Sequence, residues 1–202
     1  MSYEKNIENA ARKVLIAGDS TGVGTGASDP KYSIAGRIGS DYPGTDIKNI
    51  SENGLKIGEL SKKLLEMKDE NFDLIIYQIG ANDVVGFTPL ETISEQLNEL
   101  LQYAENNSKK TIVVTAGNIG LSKVFSWPIS TLVSNRTLKV RKIFMDNISK
   151  YENIEYIDFY REKEEDPFSK NYEKYYAKDF FHPSDHGYEF WYKKIKEKIS
   201  FD

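Results

Sequence analysis

Short, uniformly apolar runs alternate with longer stretches of helical periodicity along most of this chain. Val14, Leu15, Ile16 and Ala17 form a run too short for a helix and rich in strand formers. Residues 47–51 make a weaker strand. Residues 74–79 make the strongest, and their nearly continuous apolarity implies a strand covered on both faces. Residues 111–115 and 154–158 add two more. Between the strands, Ile57, Leu60, Leu64 and Met67 share one helical face. Thr88, Pro89 and Glu91 read as the N-cap, first-turn proline and capping-box acid of a helix. That helix carries Leu90, Ile93, Leu97, Leu100, Leu101 and Ala104 at helical spacing. Residues 130–150 read as a further helix with Arg136 inside it, and Tyr188, Trp191, Ile195 and Ile199 mark a last one.

Strand and helix alternating in this way predict an α/β fold with a parallel five-stranded sheet between two helix layers. There are no repeats, low-complexity tracts or linkers, so residues 1–202 are expected to form a single domain. Residues 161–178 are the longest stretch without regular pattern, longer than a plain connection needs, and read as a functional loop or lid.

Composition narrows the chemistry. The chain has 202 residues, enough for a full core without staples, and no cysteine, which excludes thiol catalysis, disulfides and cysteine metal clusters. Its net charge of −4 gives no nucleic-acid or anionic-membrane footprint. No apolar run reaches the roughly 20 residues of a membrane span, and the first residues lack the apolar stretch of a secretory signal, so a cytoplasmic location is expected.

In open parallel sheets, ligands bind at the carboxyl ends of the strands. The residues that follow each strand are therefore informative. They are Gly18, Asp19, Ser20, Thr21 and Gly22; then Glu52, Asn53 and Gly54; then Gly80, Ala81, Asn82 and Asp83; then Gly117, Asn118, Ile119 and Gly120. Beyond the fifth strand and the long loop come Asp179, Phe180, Phe181, His182 and Pro183. A serine needs a base to become a nucleophile, and the chain has only two histidines, His182 and His186. Asp179, one turn before His182, can hold the imidazole, and the amides of Ser20 and Gly54 with the Asn82 side chain can serve a tetrahedral oxyanion. Read alone, Ser20 could equally cap a helix or sit in a phosphate-binding turn.

These blocks resemble the SGNH/GDSL hydrolase family (GDSL-type esterases and lipases) over nearly the whole chain. Gly18, Asp19 and Ser20 match the nucleophile block, and Asn53 and Gly54 the block whose glycine lines the oxyanion hole. Gly80 to Asp83 match the GxND block, and Asp179, His182 and Pro183 the final DxxHP block, all in family order. The resemblance implies a flavodoxin-like three-layer α/β/α sandwich. It also implies a catalytic set of Ser20, Asp179 and His182 and an oxyanion hole of Ser20, Gly54 and Asn82, with no cofactor and no metal. The implied partner is a small-molecule ester, cleaved by hydrolysis or passed on by acyl transfer. The aromatic segment Tyr172, Tyr175, Tyr176, Phe180 and Phe181, which leads into the His182 turn, either packs the loop onto the body or walls the substrate pocket, and Trp127 and Pro128 are similar candidates; Trp127 and Tyr175 are the walls to test first.

Three rivals weigh against this. Gly22, Gly24 and Ala27 fit a loose dinucleotide fingerprint, with Asp41 and Asp46 near the ribose-acid distance, but Gly18 to Thr21 intervene after the strand. His182 and His186, with Asp19, Asp83 and Asp179, raise a metal-dependent phosphoesterase, but Pro183 adjoins the first histidine and the spacing matches no known metal site. A nucleotide- or carbohydrate-binding module without hydrolysis would leave an intact serine, histidine and aspartate without work.

Overall fold

The computed structural model describes residues 2–67 and 70–201. Its strands are β1 (Arg12–Gly18), β2 (Thr45–Asn49), β3 (Phe72–Gln78), β4 (Ser108–Val114) and β5 (Ile154–Ile157). They form one sheet in the order β2-β1-β3-β4-β5, and every pairing is parallel. This is the expected α/β architecture, and its chain order reverses between β1 and β3, where such sheets bind ligands.

Successive strand residues face opposite helix layers. Leu15, Ala17, Ile75, Tyr77 and Val113 pack with α3 (Ile57–Glu66), α5 (Leu90–Asn107) and α6 (Ile129–Ile148). Val14, Ile16, Leu74, Ile76 and Ile112 pack with α2 (Ile34–Asp41) and α9 (Asp185–Lys196). Burial on both faces explains the uninterrupted apolar runs of the central strands.

Four expectations need correction. β2 runs two residues earlier than the pattern indicated, because its start is fixed by pairing with β1, Thr45 opposite Arg12. Thr88 is no cap: Pro89 takes the N-cap position with extended backbone, and no side chain caps α5. Ile199 falls beyond α9. Residues 161–178 are not irregular throughout, since α7 (Pro167–Lys170) and α8 (Tyr172–Tyr175) are single helical turns, each capped by its own Asp166 or Asn171.

Candidate active site

Everything that could react gathers on the carboxyl edge of the sheet, and glycines decide how. Gly18 ends β1 opposite Gln78, and a Cβ there would collide with the Gln78 carbonyl oxygen. The chain then turns sharply into the one-turn helix α1 (Ser20–Val23). The Asp19 carboxylate caps that turn by accepting from the Thr21 amide at 2.9 Å and the Thr21 hydroxyl at 2.9 Å. Gly24, at φ 87°, closes it in the left-handed region that favours glycine.

Ser20, 9% exposed, thus sits at the first position of a helix. Its Oγ lies 2.9 Å from His182 Nε2, and His182 Nδ1 lies 2.6 Å from Asp179 Oδ2. The other Asp179 oxygen accepts the amides of Phe181 at 2.9 Å and His182 at 3.0 Å. Partial burial pushes the Asp179 carboxyl up, but these hydrogen bonds outweigh it and hold it below the ordinary carboxylate range.

The residues expected to hold an oxyanion stand on the loops after β2 and β3, the two strands that flank β1. Gly54, at φ 82°, has open space where a Cβ would stand, so its backbone conformation, not crowding, calls for glycine. Neither the Ser20 nor the Gly54 amide donates to another described residue. Asn82 begins α4 (Ala81–Val85) after Gly80, which adopts φ 111°. Its Nδ2 donates to the Leu55 carbonyl at 3.0 Å, fixing the carboxamide beside the Gly54 loop and leaving its second N–H available.

Two neighbouring carboxylates have other duties. Complete burial pushes the Asp19 carboxyl up to about 6, against hydrogen bonds from Thr21 and the nearby His182. Asp83 is fully buried and accepts the Ile57 amide at 3.0 Å, capping α3; burial raises it as well.

The glycine-rich segment after Ser20 ties the loops together. Thr25 Oγ1 donates to Asn53 Oδ1 at 2.7 Å, joining it to the Gly54 loop. A Cβ on Gly26 would press on His182 and Pro183, so glycine there lets the histidine turn approach. The Ser28 amide and hydroxyl donate to Asp185 at 2.7 and 2.6 Å, and the Tyr188 hydroxyl to Thr25 O at 2.8 Å. These bonds dispose of the dinucleotide rival. Gly22 lies inside α1 against Ser51, and Gly24 packs on Ser33, so neither presents open backbone to a pyrophosphate. His186, 62% exposed, faces Glu189, and among the described residues no group of three or more histidines, aspartates or glutamates could hold a metal ion.

Beside Ser20 and His182 opens a recess of about 120 Å³. Its walls come from the β4 loop (Ala116, Asn118, Ile119), from Phe159 after β5, from Phe168 and Tyr176, and from Phe190 and Trp191 of α9. The two expected pocket residues are not among them. Trp127 is 81% exposed on the loop before α6, and Tyr175 packs against Phe168 and Phe190 with ring centroids 5.3 and 6.0 Å away. Of the aromatic segment before the His182 turn, Tyr176 and Phe181 do line this recess; Phe168 and Trp191 escaped sequence reading because the first stood in an unpatterned loop and the second on a helix stripe that also serves the core. Residues 161–178 form part of this wall.

The model of the GDSL-like lipase/acylhydrolase family matches residues 16–190. Among solved structures, a putative lipolytic protein of the G-D-S-L family from Desulfitobacterium hafniense superposes with a TM-score of 0.72 at 20% identity, covering 93% of this chain and 99% of that one. A lipolytic G-D-S-L family protein from Veillonella parvula gives 0.68 at 16%, covering 93% and 97%. An acetylxylan esterase from Geobacillus stearothermophilus gives 0.62 at 18%, covering 96% of both chains. No curated protein matches the sequence. No helix among the described residues is long and apolar enough to cross a membrane. With the family's model spanning both β1 and the His182 turn, the chain belongs to the GDSL-like lipase/acylhydrolase family and is a carboxylic ester hydrolase.

Proposed function

We propose that the protein hydrolyses a small, short-acyl ester through an acyl-enzyme on Ser20. The observation that carries this reading is the continuous chain of contacts from Asp179 Oδ2 through His182 to Ser20 Oγ, 2.6 and 2.9 Å. His182 Nε2 takes the Ser20 proton as Oγ bonds to the ester carbonyl carbon. The resulting oxyanion is met by the amides of Ser20 and Gly54 and by Asn82 Nδ2. His182 returns the proton to the alcohol oxygen as the carbon–oxygen bond breaks. A water then gives a proton to Nε2 and its oxygen to the acyl carbon. When the Ser20 ester bond breaks, that proton returns to Oγ and the acid leaves. Asp179 keeps the Nδ1 proton in place and stabilises the imidazolium at each transfer.

A serine-to-alanine form of the Geobacillus acetylxylan esterase is described as a catalytic mutant, which supports serine chemistry on this fold. Acetylated sugars and simple short-acyl esters are accordingly the substrates to try. In the wild type, a fluorophosphonate should label Ser20 and abolish turnover of p-nitrophenyl esters; Ser20→Ala should neither label nor turn over. Near-normal turnover by Ser20→Ala would overturn the assignment. So would loss of activity on chelation in a protein the fluorophosphonate leaves untouched.

A further inference from the structure

Trp127 stands exposed outside the recess, and it is not alone. Ten large apolar side chains are exposed among the described residues, and seven of them lie on three segments at the carboxyl edge of the sheet. These are α4 with the link after it, the loop into α6 with that helix's first turn, and the turn that carries His182. Scattered exposed apolar residues are ordinary, whereas a cluster of them marks a surface that binds something. Contacts join the segments into one rim. The Arg136 guanidinium lies 5.9 Å from the Phe87 ring centroid, and Arg136 also donates to Thr88 O. Leu132 stands one turn before Arg136 on α6, with Ile129 and Trp127 ahead of it. Lys123 Nζ lies 5.2 Å from the Phe180 ring centroid, and the adjoining Ser122 donates to Phe180 O at 2.6 Å. Among the described residues, three besides glycine adopt the left-handed region, and Phe87 (φ 52°) and Phe180 (φ 55°) are two of them. A bulky residue there is strained, and such strain concentrates at functional sites.

Charge identifies the partner. The net charge of −4 is an average over the chain that conceals a local excess of the other sign. Residues 106–145 contain seven lysines and arginines and no aspartate or glutamate. Four of the seven pair with carboxylates: Lys109 with Asp73, Lys110 with Glu155, Arg141 with Asp158 and Lys142 with Asp146. Among the described residues Lys123, Arg136 and Lys139 form no ion pair. The one exposed carboxylate on the three segments, Asp179, is taken by His182. Apolar tips interspersed with unpaired cations suit an anionic amphiphile layer, in which the tips enter the apolar boundary and the cations meet the headgroups. A second copy of the chain fits worse, because two-fold pairing lays the rim on itself and sets cation against cation.

We propose that this rim, with Trp127 at its tip, docks the protein on an anionic lipid surface. Docking goes beyond the ester-hydrolase reading and is tested without it. Where both hold, an ester whose alcohol arm is anchored in such a surface is presented to Ser20.

The test is flotation with vesicles of phosphatidylcholine and phosphatidylglycerol in equal parts, beside vesicles of phosphatidylcholine alone, at low and at physiological salt. The chain has two tryptophans, and Trp191 is buried, so a change in emission reports on Trp127. The expected result is binding to the mixed vesicles that weakens with salt, with the emission moving to the blue. Trp127→Ala should weaken binding at least about tenfold, and Lys123→Gln combined with Lys139→Gln about 25-fold, at about fivefold per cation. Leu65→Ala, exposed at the far end of α3, should change nothing. Melting temperatures confirm that each variant is folded. No binding to the mixed vesicles at low salt, or binding that Trp127→Ala leaves intact, would overturn the proposal. So would dimers in sedimentation velocity that Trp127→Ala breaks, in place of vesicle binding, which would assign the rim to a second copy. Ser20→Ala should float with the vesicles as the wild type does, so a failure of docking and a failure of the hydrolase reading are told apart.

Discussion

Asp179→Asn separates an electrostatic role for this residue from a structural one. Asp179 accepts two backbone amides with one oxygen and the His182 ring with the other. A carboxamide can keep the first pair through its oxygen, so the turn holding His182 survives. Its NH₂ group then faces Nδ1, which can no longer be a donor, and the imidazole proton moves to Nε2. Nε2 cannot then accept from Ser20. The missing charge adds to this. Opposite unit charges about 4 Å apart attract by about 4 kcal/mol at an effective dielectric near 20. With Asp179 47% exposed, screening reduces the gain to about 2 kcal/mol. That alone slows the reaction about 30-fold. Tautomer reversal takes the loss to roughly 10²–10³ in kcat, short of the roughly 10⁴ for a fully buried partner. The assay is steady-state kcat and KM on p-nitrophenyl butanoate from pH 5 to 9, with Asp179→Ala beside it. An Asp179→Asn enzyme within about threefold of wild type, with Asp179→Ala inactive, would show that Asp179 only caps the turn and refute the relay.

Other expectations follow from the same geometry. Asn82→Ala should lower kcat by roughly 10²–10³ with KM little changed, because the interaction is made with the oxyanion and not the ground-state ester; a pure KM effect would refute the donor role. Gly54→Ala should lose about 1–2 kcal/mol of stability, seen as a lower Tm, since the strain lies in φ 82° and no neighbour crowds the site; an unshifted Tm would contradict this. Asp19 is raised from 3.8 to about 6 in the folded chain, so its burial opposes folding increasingly as pH rises from 3.8 to about 6, by about 3 kcal/mol above that range. Asp19→Asn should therefore gain stability relative to wild type between pH 4 and pH 8, measured as the change in Tm difference; a pH-independent difference would count against it. Ser28→Ala and Asp185→Ala should be non-additive in a double-mutant cycle by about 1 kcal/mol, since both lose the Ser28 Oγ–Asp185 Oδ2 hydrogen bond, while Ser28→Ala keeps the backbone amide bond to Oδ1.

The central strands were legible because β1, β3 and β4 are covered on both faces, which writes apolar residues at consecutive positions. The edge strand β2 alternates buried and half-buried residues, and its ends depend on its partner, so its pattern pointed two residues too far along. Helix α2 left no readable trace. Two of its residues are Gly36 and Gly39, poor helix formers kept small because Pro30 and Lys31 crowd one and Tyr3 the other. At the site, Ser20, Gly54, Asn82, Asp179 and His182 could be named because each follows its own strand or turn in a local motif. The recess had only a partial signature, Tyr176 and Phe181 in the aromatic segment before His182. Its walls come from the β4 loop, the end of β5, residues 161–178 and one face of α9, which adjoin only in the folded chain. Aromatic residues on α9 pack the core and line the recess at once, so periodicity identified them and could not divide their duties.

Ser20 and His182 are 162 residues apart in the chain, yet the bond between them is not what brings them together. Ser20 is placed by the Asp19 amide on Gln78 O at 2.8 Å, by the Asp19 cap and by the left-handed Gly24. His182 is placed by the Asp179 cap and by main-chain bonds on either side, His182 O accepting Ala177 N and Tyr175 O accepting Ser184 N, both at 2.8 Å. The Ser28–Asp185 and Thr25–Tyr188 bonds then clamp one loop to the other. Geometry is thus fixed by backbone, glycines, the Asp19 and Asp179 caps and peripheral polar ties, while the Ser20 hydroxyl and the His182 ring contribute little to it. A site built this way keeps its shape when the Ser20 hydroxyl is removed. It follows that Ser20→Ala should retain the wild-type Tm while losing turnover, whereas Gly18→Ala, which drives a Cβ into Gln78 O, should lose the fold together with the activity.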